Sequence, residues 1–250
     1  MSLKTILVSQ PQPENGMSPY FDLASKYNLK IDFRSFISVE GISSREFREQ
    51  KVDFTKHTAV IFTSKTAVDH FFRISEETRF KVPDALKYFC MSEAIAFYLQ
   101  KYVIYRKRKI FYGKQNIEDL TEVLKKHKNE TFILPCSDIL RRQIPETLKN
   151  NNIKYSKVIL YRTVASDLSD LDDVKYDLLV FFSPSGIESL FKNFPKFKQN
   201  TTRIAAFGPT TAGAVKSHNL RLDIHAPAPN APSMTMAIEQ YIKNNKKVKN

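Results

Sequence analysis

Short runs of β-branched and aromatic residues alternate with stretches of helical period along the 250 residues, and this alternation predicts an α/β fold. Strands are expected at Thr5–Val8, Ile31–Ile37, Ala59–Thr63, Lys87–Met91, Val103–Tyr112, Thr131–Leu134, Tyr155–Tyr161, Leu178–Phe182, Arg203–Phe207 and Leu222–His225. Ten strands exceed one short doubly wound sheet and suit two mostly parallel sheets of five. Helices are expected after nearly every strand. Pro19 and Pro145 read as first-turn prolines, and Asn116 opens a helix running through His127. The stretch from Lys243 to Lys249 reads as a frayed polar tail.

An internal repeat sets the organisation. FTSKTAVDHFF at 62–72 matches FFSPSGIESLF at 181–191, each a strand end, a Ser/Thr turn and an amphipathic helix start. A second matched pair follows each copy, CMSEAIAFYL at 90–99 and AFGPTTAGAV at 206–215. The third pair is out of order, because the counterpart of 131–153 is the chain start, 5–31. That displacement predicts a discontinuous first domain, 1–35 with 165–250, into which a second domain, 38–161, is inserted. Two strand-like linkers, near 35–39 and 161–166, would join the two doubly wound domains.

Composition narrows the function classes. Lys+Arg number 39 against 26 Asp+Glu, a net +13 that calls for an anionic partner such as nucleic acid, phosphate or a polycarboxylate. Residues 38–162 hold 24 bases and 15 acids, a net +9; the tail lysines 243, 246, 247 and 249 equal the +4 that remains. Two cysteines, Cys90 and Cys136, cannot build a disulfide framework or a four-thiolate metal site. No stretch approaches the roughly 20 apolar residues of a membrane span, and the N-terminal apolar run is too short for a signal peptide, so a cytoplasmic protein is expected.

Familiar catalytic motifs are absent. The sequence has no GxGxxG and no GxSxG. GPTTAGAV at 208–215 has Ala214-Val215 where a P-loop needs Lys-Ser/Thr, and the five histidines show no metal-ligand spacing. What recurs is hydroxyl and glycine at strand ends: Ser9, Thr63-Ser64, Ser92, Ser137, Ser183, Ser185 and Gly208 with Thr210-Thr211. Such groups can cap the following helix, or grip a ligand beyond the carboxyl ends of a parallel sheet. Lys65, Lys114, Arg141 and Arg142 each follow a strand end and are placed to meet an anion. Arg106–Lys109 falls inside an expected strand and reads as a charged, solvated edge.

FFSPSG at 181–186, GPTTA at 208–212, FTS at 62–64 and Leu160-Tyr161-Arg162-Thr163-Val164 together resemble the uroporphyrinogen-III synthase family. LPC at 134–136 followed by Arg141-Arg142 and Pro145, and the late Pro229-x-x-Pro232-Ser233, extend the resemblance across essentially the whole chain. It implies two α/β domains on a two-stranded linker, the first discontinuous. It also implies a cofactor-free lyase that converts the octacarboxylate hydroxymethylbilane into uroporphyrinogen III. Water leaves the terminal hydroxymethyl carbon, and the azafulvene is attacked by the last ring through a spiro intermediate, which inverts that ring. Carried over onto this chain, Tyr161 is the acid, and the ligand contacts are Thr63, Ser64, Ser183, Ser185, Gly208, Thr210 and Thr211. The partner implied is a tetrapyrrole polycarboxylate met by a monomer, with no metal, membrane or nucleic acid.

One stretch departs from the family pattern. Where Gly-Thr-Ala is usual, this chain reads Met91-Ser92-Glu93-Ala94-Ile95-Ala96, which removes a hydroxyl and adds a carboxylate. Ser92 can replace the missing donor. The alternative expectation is a diverged two-domain binding or regulatory protein for an anionic ligand or nucleic acid, without catalysis.

Overall fold

β-Branched and aromatic runs become strands here only where another strand is available to pair with them. The computed structural model describes residues 3–13, 18–171 and 174–247. Its first elements are β1 (Thr5–Val8), α1 (Pro19–Tyr27), β2 (Lys30–Phe33) and β3 (Ile37–Gly41). Next come α2 (Ser44–Glu49), β4 (Ala59–Phe62), α3 (Lys65–Glu77), β5 (Lys87–Cys90), α4 (Glu93–Tyr98) and β6 (Ile110–Tyr112). They are followed by α5 (Glu118–Lys126), β7 (Phe132–Ser137), α6 (Gln143–Asn150) and β8 (Tyr155–Ala165). The remaining elements are β9 (Leu178–Phe181), α7 (Pro184–Asn193), β10 (Arg203–Phe207), α8 (Pro209–Ser217), β11 (Ile224–Ala226) and α9 (Met234–Lys247).

Two compact units emerge, Met1–Ser38 with Val164–Asn250, and Val39–Thr163. In the first unit the strand order is β11-β10-β9-β1-β2, with every pairing parallel. In the second it is β3-β8-β7-β4-β5-β6, parallel from β8 through β6. The two orders correspond when β9 is set against β4 and β1 against β7. In each sheet the succession of strands reverses direction at that central pair. This is the switch point at which open parallel sheets leave a crevice for ligands.

The cores explain why the central strands hold. All four residues of β4 are buried, and alternation sends Val60 and Phe62 to one face, Ala59 and Ile61 to the other. Phe71, Ile74 and Leu99 pack on the first face, while Phe89, Leu120, Leu134 and Leu148 pack on the second. In the first unit, Ile6 and Val180 share one cluster and Leu7, Leu179 and Phe181 the other. Each large side chain so buried contributes about 1.5–3 kcal/mol.

Several expectations need correction. Ile31–Ile37 is not one strand: β2 stops at Phe33, Phe36 turns into the first unit's core, and Ser35 Oγ donates to the Ile37 carbonyl before β3 begins. β3 then joins the sheet beside β8, so the second sheet has six strands rather than five. Val103–Tyr112 is a strand only from Ile110 onward. Arg106–Lys109 forms a turn closed by the Lys109 and Ile110 N–H groups on the Arg106 carbonyl. It precedes the edge strand instead of forming it. Nor does the polar tail fray at Lys243, since α9 continues through Lys247 with Ile238 and Ile242 buried and Lys243 paired to Glu239 at 2.9 Å. Lys249 lies outside the described residues.

Candidate functional site

In the second unit, the carboxyl ends of β4, β7 and β8 converge. The chain leaves β4 at Thr63, and Ser64 caps α3, its Oγ accepting the Ala67 N–H at 3.0 Å. Tyr161, carried by β8, is only 8% exposed, and its hydroxyl lies 3.0 Å from Ser64 Oγ. Since Ser64 Oγ already accepts from Ala67, its own proton is free to go to the phenol oxygen. With Ser64 as the donor of that bond, the phenol proton is left for another acceptor; either hydroxyl can take the donor role. Burial pushes the Tyr161 pKa up, and the Ser64 hydrogen bond works against that rise, so the group stays a neutral phenol at neutral pH.

A cavity of about 160 Å³ opens beside this pair, lined by Thr63, Ser64, Ser137, Arg141 and Tyr161, with Cys136, Met91, Ile139 and Ile144 among its walls. A void of about 150 Å³ takes a benzene-sized ring. This one therefore has room for a single five-membered heterocycle, with a phenol, three hydroxyls and a guanidinium around it. Cys136 is no nucleophile there: burial holds its thiol up at about 11, and that of Cys90 at about 12. A wider hollow of about 830 Å³ lies at the amino ends of β9 and β10, bordered by Tyr176, Phe194 and Lys196. Its position is the wrong end of a parallel sheet for a ligand crevice.

The bases divide. Arg141 faces the cavity and, among the described residues, has no ion-pair partner. Arg142 is 91% exposed and bound to Glu146 at 2.6 Å, outside the cavity lining. Lys65 Nζ stacks 5.3 Å over the Tyr98 ring, and Lys114 is exposed beyond β6; neither lines the cavity. Ser92 stands at the N-cap of α4 with no side-chain cap bond, so its hydroxyl is a free donor at the end of β5. The Glu93 carboxylate beside it accepts from Tyr112 at 3.2 Å.

The first unit repeats the caps position by position. Ser183 accepts the Gly186 N–H at 3.2 Å, as Ser64 does from Ala67. Ser9 Oγ converges on the same turn, within 3.7 Å of where a Gly186 Cβ would stand. Gly208, like Ser92, caps without a side-chain bond, and its φ of 83° and ψ of 156° suit glycine alone. Pro209 has no N–H, so the first turn of α8 presents the amides of Thr210 and Thr211, with Thr211 buried and Thr210 exposed. Ser185 is half-buried in the first turn of α7.

The uroporphyrinogen-III synthase HemD family model matches residues 22–236. The chain belongs to the uroporphyrinogen-III synthase family. It is thereby a lyase-class enzyme of tetrapyrrole biosynthesis. A uroporphyrinogen-III synthase of Chlorobaculum parvum is 24% identical over 257 residues, spanning 96% of this chain and 100% of that protein. The Saccharomyces cerevisiae enzyme is 27% identical over 139 residues, half of each chain. Among solved structures, the Helicobacter pylori uroporphyrinogen-III synthetase superposes with a TM-score of 0.61 at 17% identity, covering 97% of this chain and all of that one. A mutant uroporphyrinogen III synthase from Thermus thermophilus gives 0.54 at 13% identity, covering 96% and 99%. These likenesses show the two-domain α/β fold of synthase structures. Among the described residues no helix is long and apolar enough to cross a membrane.

Of the residues singled out from the sequence, Tyr161, Thr63, Ser64 and Arg141 come together at the cavity, while the residues that hold Tyr161 were not among them. His70 stacks on its ring with centroids 5.1 Å apart, and Arg73 holds His70. The only available signal was helical spacing, which puts Ser64, Ala67, His70 and Arg73 at successive intervals of three along α3.

Proposed function

We propose that this chain closes hydroxymethylbilane to uroporphyrinogen III, with the terminal hydroxymethyl-bearing ring seated in the second unit's cavity and Tyr161 as the acid. The observation that carries this reading is the Tyr161 phenol: buried on β8, 3.0 Å from the Ser64 hydroxyl at the end of β4, and beside a ring-sized void. The C–O bond of the hydroxymethyl group breaks as the pyrrole nitrogen pushes electrons towards carbon. The phenol proton joins the departing hydroxide to make water. The protonated azafulvene left behind is attacked by the last ring at its substituted carbon, giving the spiro intermediate. The bond from that carbon to its original methylene bridge then breaks, leaving a second protonated azafulvene on the neighbouring ring, which the inverted ring attacks through its free α-carbon. The proton lent by Tyr161 is recovered when the inverted ring loses hydrogen at the final bond formation.

Binding supplies the remainder. Arg141 and the Thr63 hydroxyl pair with carboxylates of the seated ring, with Ser92 as a replacement donor at the end of β5, while the Ser137 hydroxyl is committed to Asp138 at 2.6 Å. In the first unit, Ser183, Ser185 and the open amides of Thr210 and Thr211 form a rim suited to carboxylates. Lys65, Lys114 and Arg142 contribute long-range attraction rather than contact. In this reading the two units act as a discontinuous domain, 1–35 with 165–250, and an inserted one, 38–161, in a cytoplasmic monomer that needs no cofactor.

The test is isomer analysis. Purified protein given freshly made hydroxymethylbilane should yield, after oxidation, the type III porphyrin in excess of the spontaneous type I product. Type I alone would overturn the reading.

A further inference from the structure

The Tyr161 side chain is held at its hydroxyl by Ser64 and on its ring face by His70, and of the two only Ser64 belongs to the strand-end hydroxyls. His70, on α3, lays its imidazole on the phenol ring with planes 19° apart, closing that face. The His70 Nδ1 accepts from Arg73 Nε at 3.1 Å, so the ring carries its proton on Nε2. Burial and the Arg73 charge both lower the His70 pKa, keeping it neutral, while Asp69 and Glu77 act weakly the other way.

Arg73 is itself pinned. Its guanidinium donates to the Ile42 carbonyl at 2.8 Å and to the Leu160 carbonyl at 3.3 Å, and pairs with Glu77 at 2.5 Å. Leu160 immediately precedes Tyr161, so one side chain ties the backbone that carries the phenol to the imidazole that covers it. Gly41 makes the space, because a Cβ there would stand 2.6 Å from the guanidinium.

We propose that His70 and Arg73 are positioning residues that fix the direction of the Tyr161 hydroxyl and keep water off its ring. The inference rests on Tyr161 as the acid, and it gives two helix residues outside the cavity lining a place in the reaction. The imidazole acts by stacking rather than by proton transfer, since its Nδ1 is occupied. Around the phenol the other titratable groups are Cys136 and Asp138, both of which favour the neutral form.

The test combines tyrosine labelled at Cζ with kinetics. Tyr161→Phe identifies the Tyr161 resonance by its loss. His70→Ala should lower the titration midpoint of that resonance towards an ordinary phenol, because the ring becomes hydrated. The same variant should lower kcat about tenfold with KM changed by less than about twofold. His70→Phe, which keeps the stacked ring, should restore both. The double variant His70→Ala/Tyr161→Phe should be no slower than Tyr161→Phe. An unmoved midpoint in His70→Ala, or a further loss in the double variant, would overturn the proposal. A fully active Tyr161→Phe would instead remove the acid assignment, and the midpoint comparison would still decide whether His70 holds the phenol.

Discussion

The Ser64 hydroxyl serves the Tyr161 phenol and the first turn of α3 at once, lying 3.0 Å from each of the Tyr161 hydroxyl and the Ala67 amide. A residue in a repeat-matched turn thus couples helix capping to the candidate acid. The equivalent Ser183 caps α7 at 3.2 Å, while Tyr161 belongs to the other unit.

Ser64→Ala and Ser64→Gly separate the two roles. Alanine at an N-cap costs about 1 kcal/mol and glycine only a few tenths, whereas both remove the hydroxyl from Tyr161. Urea unfolding should therefore rank the variants wild type, Gly, Ala, while turnover of hydroxymethylbilane falls equally in both. Unequal turnover that follows the stability order would assign Ser64 to capping alone.

The pH dependence of turnover follows from the phenol. An acid catalyst works in its protonated form, so the rate falls as pH rises through its pKa. Burial places the Tyr161 pKa above the ordinary 10.0, so the alkaline fall should come later than for a solvated phenol. Ser64→Gly removes the bond that lowers this pKa and should move the fall further up. Tyr161→Phe should abolish that limb and lower kcat about 100-fold or more. The check is kcat against pH for the three proteins, with folding followed by circular dichroism at each pH.

Much of this arrangement was legible in the sequence because local signals and partners coincide. The FTS and FFS turns announce strand end, cap and helix within a few residues, and Ser64 and Ser183 cap with the matched geometry. Ser92 and Gly208, also matched, both cap without a side-chain bond. Pairing between distant segments was not legible. Val103–Tyr105 has strand-like residues but finds no neighbouring strand, and Ile104 ends 80% exposed. β3 becomes a sixth strand because β8 offers its free side, which no local pattern encodes. The stack of His70 on Tyr161 likewise depends on α3 and β8 meeting across the sheet, and a lone histidine among five gives no hint of it.

Arg141 and Arg142 are adjacent in sequence and should differ in kinetics. Arg141 lines the cavity without an ion-pair partner among the described residues, while Arg142 is 91% exposed and committed to Glu146. Arg141→Ala should raise KM by about tenfold with kcat nearly unchanged, as loss of uniform binding requires. Arg142→Ala should leave both constants near wild type, since an exposed i,i+4 pair contributes only about 0.3–0.5 kcal/mol. Steady-state kinetics on the two variants decides it. An equal rise in KM for both would mean that bulk charge, rather than contact at the cavity, attracts the substrate.

Gly208 tests the first unit's rim separately from the cavity. A Cβ there would meet nothing within 4 Å, so crowding is not the obstacle; the backbone, at φ 83° and ψ 156°, is. That conformation strains any L residue by about 1–3 kcal/mol. Gly208→Ala should therefore lower stability by that amount. If the chain relaxes instead, the N–H that Gly208 donates to the Ala226 carbonyl at 2.6 Å turns away, and the Thr210 and Thr211 amides turn with it. Relaxation would spare stability and raise KM; strain retained would lower stability and leave KM alone. Denaturant melts and KM measured on the same preparation distinguish the two. A variant unchanged in both would show that neither the backbone geometry nor the open amides of α8 matter to this enzyme.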